Sequence, residues 1–173
     1  MLRAARHADT LAIVDILVEG CARSRYAGFV NVDEPYARKL ISSIIQRHGG
    51  AHDGAGFVMV SERDGRIEAF VAGQLDRVYS IGDMLCAQDC FLLGTKDCPP
   101  RVLVALFDKY LSWAAANPKV YEIGASLNDA IPGSENFEDI YLRRGFVECA
   151  HTFRRQQFRI EPATASEKAM EAA

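Results

Sequence analysis

Apolar residues recur at helical spacing in three stretches and in short strand-like runs between them. Leu11, Val14, Leu17 and Val18 lie three and four apart. They predict a helix with Asp9 or Thr10 as its cap and Gly20 at its end. A second helix opens at Asp33 with Pro35 in its first turn. It buries Tyr36, Leu40, Ile41, Ile44 and Ile45, and Gly49-Gly50 stops it. The strongest amphipathic run puts Leu103, Leu106, Phe107, Tyr110, Leu111 and Ala114 on one face. It follows Pro99-Pro100 and ends at Asn117-Pro118. A last helix is expected from Ser134, as cap, to Arg144, with Gly145 closing it.

Strands are expected over residues 2–6, 57–60, 67–78, 84–93, 120–125, 146–150 and 152–158. Asp64-Gly65 is a tight-turn pair, so the strands on either side of it should be antiparallel neighbours. Ala72 and Gly73 are small, which invites close packing there. The order β-α-α-β-β-β-α-β-α-β-β has no repeat period. A strand, a crossover helix and a strand over residues 84–125 imply one parallel pair inside a mixed sheet. The fold class is α/β (α+β), one domain over residues 1–160. The Ala- and Glu-rich tail, residues 161–173, is expected to be mobile.

At 173 residues the chain fills one domain and is short for two. Apolar residues make up 49% and charged residues 25%, the balance of a soluble globular protein. The net charge of −3 gives no general reason to expect nucleic acid. Arg143, Arg144, Arg154, Arg155 and Arg159 form a local cluster. It reads as a solvated strand and helix end, or as a patch meeting an anion. No apolar run approaches the roughly 18 residues of a membrane span. The N-terminus lacks a signal-peptide core, so a cytoplasmic location is expected. Five cysteines, Cys21, Cys86, Cys90, Cys98 and Cys149, fit no disulfide framework and no zinc spacing. His48 and His52 are four apart, but Gly49-Gly50 lies between them. No metal is expected.

The element order resembles that of the GCN5-related N-acetyltransferase (GNAT) family, and two segments carry the likeness. Tyr141-Leu142-Arg143-Arg144-Gly145-Phe146 is similar to the family's Tyr-x-x-x-Gly-Phe, which closes its fourth helix and opens a strand. Residues 91–107 are similar in spacing to the family's fourth strand, cofactor loop and third helix. There Leu93 falls on the motif's Val, Cys98 on its Arg or Gln, Val102 on its Ile, and Leu106-Phe107 on its Leu-Leu. The glycines differ. Pro99 and Arg101 replace two of them, and Leu103 replaces a third small residue. The likeness covers residues 2–158, chiefly as element order. It implies a mostly antiparallel sheet with a splayed parallel pair and about four flanking helices.

The resemblance implies acetyl-CoA as cosubstrate and an amine of a small molecule or protein as acceptor. It places cofactor binding at Leu93, Lys96, Cys98, Arg101, Val102, Leu103 and Asn128. Helix N-termini favour a pyrophosphate through unpaired N–H groups. Pro99 and Pro100 have none to offer, whereas Lys96 and Arg101 add positive charge. By the same resemblance the Leu93 N–H polarises the thioester and Tyr141 protonates the departing thiolate. Asp89 or Glu122, in strands flanking the cleft, could serve as general base. Tyr26, Phe29, Tyr36 and Tyr79 are candidates for an acceptor pocket. A homodimer is compatible with this reading but not required by it. The altered loop leaves a second reading open, a catalytically silent binding module of the same fold.

Overall fold

The computed structural model describes residues 1–127 and 130–149. Among these, five strands form one sheet in the order β1-β2-β3-β4-β5. They are β1 (Leu2–Ala4), β2 (Gly56–Arg63), β3 (Arg66–Arg77), β4 (Leu85–Gly94) and β5 (Val120–Ile123). Every neighbouring pair is antiparallel except β4 and β5, which are parallel. The helices are α1 (Thr10–Arg23), α2 (Glu34–Gln46), α3 (Pro100–Ala115) and α4 (Glu138–Arg143), the last entered through a 3-10 turn, Ser134–Phe137.

Local chemistry accounts for these elements. The Asp33 side chain accepts a hydrogen bond from Tyr36 N–H at 3.0 Å and caps α2. Asp64 (φ 53°) and Gly65 (φ 75°) both take positive φ, the geometry that joins β2 to β3 without splaying them. Helix α1 does not end at Gly20 but runs on to Arg23. A Cβ at Gly20 would lie 2.5 Å from a methyl of Leu93, so that glycine serves close packing against β4. Of the strand expected from residue 146, residues 146–149 are in no strand among the described residues. Ala150, segment 152–158 and the 161–173 tail lie outside the described residues.

The sheet separates two apolar layers. Helices α1 and α2 cover one face, where Ile13, Ile41, Ile44, Val58, Val60 and Phe70 are buried. Helix α3 covers the other with Leu106, Phe107, Tyr110 and Ala114 against Phe57, Val71, Leu75 and Ala87. Full burial of one such large side chain stabilises by about 1.5–3 kcal/mol. Gly73 admits α3: a Cβ there would lie 2.7 Å from the Tyr110 ring.

One irregularity shapes β4. Ala72 pairs with Phe91 but Gly73 pairs with Asp89, so Cys90 is an extra residue, a β-bulge. Side chains follow the change of phase. Leu85, Ala87 and Leu92 face α3, whereas Cys90, Phe91 and Leu93 face α1 and α2.

Candidate active site

Strands β4 and β5 begin together and then part. Leu85 N–H donates to Lys119 C=O, and Gly124 N–H donates to Ala87 C=O at 2.8 Å. Beyond that point no backbone pairing joins them among the described residues. Two side chains manage the separation. Tyr110, buried in α3, donates its hydroxyl to Gly124 C=O at 2.9 Å. Asp89 accepts a hydrogen bond from Ser126 N–H at 2.9 Å through one carboxylate oxygen. The wedge so opened is a cleft of about 600 Å³ lined by β4, Ser126, Leu127, residues 130–134, Phe137 and Tyr141.

Hydrogen-bond alternation decides which β4 amides face the cleft. Thr95 N–H bonds Glu68 C=O, and the register then places Leu93 opposite Phe70 as a ladder pair. The Leu93 N–H is therefore turned toward β3, and those of Leu92 and Gly94 are turned to the open edge. This corrects the sequence-based placement of the thioester donor at Leu93. The Leu93 side chain lies on the α1 side, against Gly20.

Tyr141 reaches the cleft from α4. Its ring packs on Phe107 (centroids 4.9 Å apart), Phe146 (5.7 Å) and Phe137 (6.2 Å). Arg144, one turn on, grips Asp108 of α3 with two hydrogen bonds, 2.6 and 3.0 Å. The Tyr141 hydroxyl donates to Ser126 C=O at 3.5 Å. Burial, and then the nearby Asp89 carboxylate, push the phenol up to about 12, so it holds its proton at neutral pH. Burial likewise raises Asp89 above the ordinary carboxylate range, opposed by the Ser126 hydrogen bonds. A half-buried acid and a held phenol thus meet at Ser126.

The other expected site residues separate. Lys96, Cys98 and Leu103 line the cleft with Asp89, Leu93 and Tyr141. Glu122 is exposed on β5, and neither it nor Arg101 nor Val102 lines the cleft. Val102 packs into the α3 core instead. Asn128 lies outside the described residues. Burial, then Glu68, raise the Cys98 thiol to about 11, which disfavours a thiolate. Tyr26, Phe29, Tyr36 and Tyr79 are exposed, and none lines the cleft. Of the arginine cluster, Arg144 binds Asp108 and Arg143 lies 3.6 Å from Asp139. Arg154, Arg155 and Arg159 lie outside the described residues.

Two residues that hold the loop beside the cleft escaped sequence reading, Glu19 and Arg23 of α1, of which Arg23 lines the cleft. Their spacing of four is that of an ordinary surface pair on a helix. Both turn to the loop after β4. Glu19 accepts from Lys96 N–H at 2.6 Å, and Arg23 donates to Gly94 C=O at 2.6 Å. Gly94 lets the loop fold back, since a Cβ there would sit 2.7 Å from that of Cys98.

The cleft suits the thioester and pantetheine end of acetyl-CoA, with apolar walls and edge-facing amides. The pyrophosphate end finds little. Pro99 caps α3 and Pro100 is its first residue, and the Val102 N–H already bonds Pro99 C=O.

No protein-family model and no curated protein sequence matches the chain. Solved structures do. A possible acetyltransferase from Clostridium difficile 630 superposes with TM-score 0.65 at 10% identity, over 92% of this chain and 98% of that one. A glucosamine-6-phosphate N-acetyltransferase from Arabidopsis thaliana gives 0.61 at 9% identity, over 91% and 98%. An aminoglycoside acetyltransferase from an uncultured soil metagenomic sample gives 0.61 at 17% identity, over 90% and 97%. With the mixed sheet, the splayed parallel pair and the four helices of its described residues, the chain has the fold of the GCN5-related N-acetyltransferases.

Proposed function

We propose that the protein transfers an acyl group from a thioester to an amine in the cleft between β4 and β5. The observation that carries this reading is the cleft itself, where edge-facing β4 amides meet Asp89 and Tyr141. Acetyl-CoA, the donor implied by the resemblance, supplies an activated acyl group as its thioester. The amine nitrogen forms a bond to the carbonyl carbon, and its proton passes to Asp89. The raised affinity of Asp89 for a proton makes it a stronger base than an exposed carboxylate. Negative charge gathers on the carbonyl oxygen, and the Leu92 N–H, preset on the edge, is the donor that faces it. The carbon–sulfur bond then breaks, and Tyr141 gives its proton to the departing sulfur. Solvent restores that proton to Tyr141 and takes up the one held by Asp89.

The test is calorimetric titration with acetyl-CoA up to millimolar, paired with thiol release in the presence of simple primary amines. Saturable heat and amine-dependent thiol support acyl transfer. No heat and no thiol refute it. A second reading has its own observation behind it: the two N–H groups lost to Pro99 and Pro100, with four others bonded within the protein, favour a binding module without turnover. Heat without thiol release would select that module. A cytoplasmic site of action and an amine-bearing partner remain parts of the proposal.

A further inference from the structure

Four of the seven backbone N–H groups in the 94–102 loop are bonded within the protein, those of Thr95, Lys96, Cys98 and Val102. Thr95 N–H bonds Glu68 C=O, and Cys98 N–H bonds Thr95 C=O. Lys96 N–H bonds the Glu19 carboxylate. At the start of α3 four N–H groups would ordinarily be unpaired. Pro99 and Pro100 remove two, and Val102 N–H is bonded to Pro99 C=O, which leaves Arg101. A carboxylate thus takes one loop N–H that an anionic ligand could otherwise use. Its charge also opposes any phosphate brought near. Arg23, 3.6 Å from Glu19 and hydrogen-bonded to Gly94 C=O, offsets part of that charge. Lys96 and Arg101 are exposed, so their attraction is screened by salt. Below the loop the cleft is intact, with Phe91, Leu92, Leu103 and Leu127 on its walls.

We propose that the chain recognises its donor as an acyl-pantetheine thioester and takes no affinity from a nucleotide diphosphate. This rests on the acyl-transfer reading above. Glu19 is the specificity residue: it ties down the loop and rejects negative charge there. Recognition of the arm then falls to the β4 edge, whose Leu92 and Gly94 N–H groups match the amide carbonyls of pantetheine as they would a neighbouring strand.

The test compares Kd for S-acetylpantetheine and for acetyl-CoA by calorimetry at physiological ionic strength, with the whole chain. A ratio within tenfold is expected, since the shared arm carries the binding. Acetyl-CoA tighter by tenfold or more overturns the inference but leaves acyl transfer standing. Binding of neither donor overturns both. A Glu19→Gln variant keeps an acceptor for Lys96 N–H and removes the charge. It should tighten acetyl-CoA at least threefold at low salt and leave S-acetylpantetheine unchanged. No gain for acetyl-CoA, or an equal gain for both, refutes the role given to the Glu19 charge.

Discussion

Replacing Tyr110 by Phe removes one oxygen from the centre of the α3 layer. The ring is wholly buried and packs beside Phe57, Phe107 and Trp113. Phe keeps that apolar area, so the change is nearly pure loss of the 2.9 Å hydrogen bond to Gly124 C=O. A hydrogen bond of this kind contributes about 0.5–1.5 kcal/mol net, and a buried carbonyl left without a donor costs about 1–3 kcal/mol. We expect a loss of about 1–2 kcal/mol. For a chain of this size each kcal/mol lowers Tm by about 2–4 °C, so the variant should melt roughly 3–6 °C lower. Gly124 is also where β5 leaves β4, so the walls of the cleft should loosen. Affinity for acetyl-CoA or S-acetylpantetheine should fall severalfold as Tm falls. Circular dichroism melting and calorimetric titration on the same preparation read both. A Tm unchanged within about 1 °C would refute the hydrogen bond as the tie that holds the splay.

Other outcomes follow from the same geometry. Asp89→Asn should lower kcat by about a hundredfold or more and abolish the acid limb of the pH–rate profile, which in the parent chain lies above the ordinary carboxylate range; an unmoved acid limb assigns the base elsewhere. Tyr141→Phe should lower kcat at least tenfold with Kd for the donor nearly unchanged, and undiminished turnover removes Tyr141 from the reaction. Burial lowers the proton affinity of His48, whose Nδ1 accepts from Val58 N–H at 2.9 Å. The unfolded chain therefore binds that proton first, and stability from His48 is complete above about pH 6.5 and lost as pH falls below it. His48→Asn should flatten the dependence of Tm on pH between 5 and 7, and an identical slope in both proteins would discount this assignment.

Much of the fold is legible because single residues announce it. Asp33, Pro35 and the Asp64-Gly65 pair mark boundaries through local hydrogen bonding and φ, which need no tertiary context. The α3 stripe does the same through its period. Gly20 is misleading for a physical reason. A glycine near a helix end reads as a stop, and only the approach of Leu93 from β4 shows it to be a packing residue within the helix. Tyr141 and Asp89 line the cleft. Glu122 does not, because β5 keeps only four residues and turns that side chain to solvent. The roles of Glu19 and Arg23 join α1 to a loop more than seventy positions away. A helical i, i+4 pair carries no sign of that distance.

The extra residue at Cys90 acts as a reading-frame shift written in space. Before it, odd-numbered residues of β4 offer their amides to β5; after it, even-numbered ones do. Deleting Cys90 would leave composition and hydropathy almost untouched and keep the strand in its sheet. Yet every amide on one side of the deletion would turn to the opposite edge, and every side chain to the opposite layer. The cleft would then present the Leu93 amide in place of Leu92, with Leu93 itself driven into the α3 core. Length in this strand is thus as tightly tied to the cleft as any side chain that lines it.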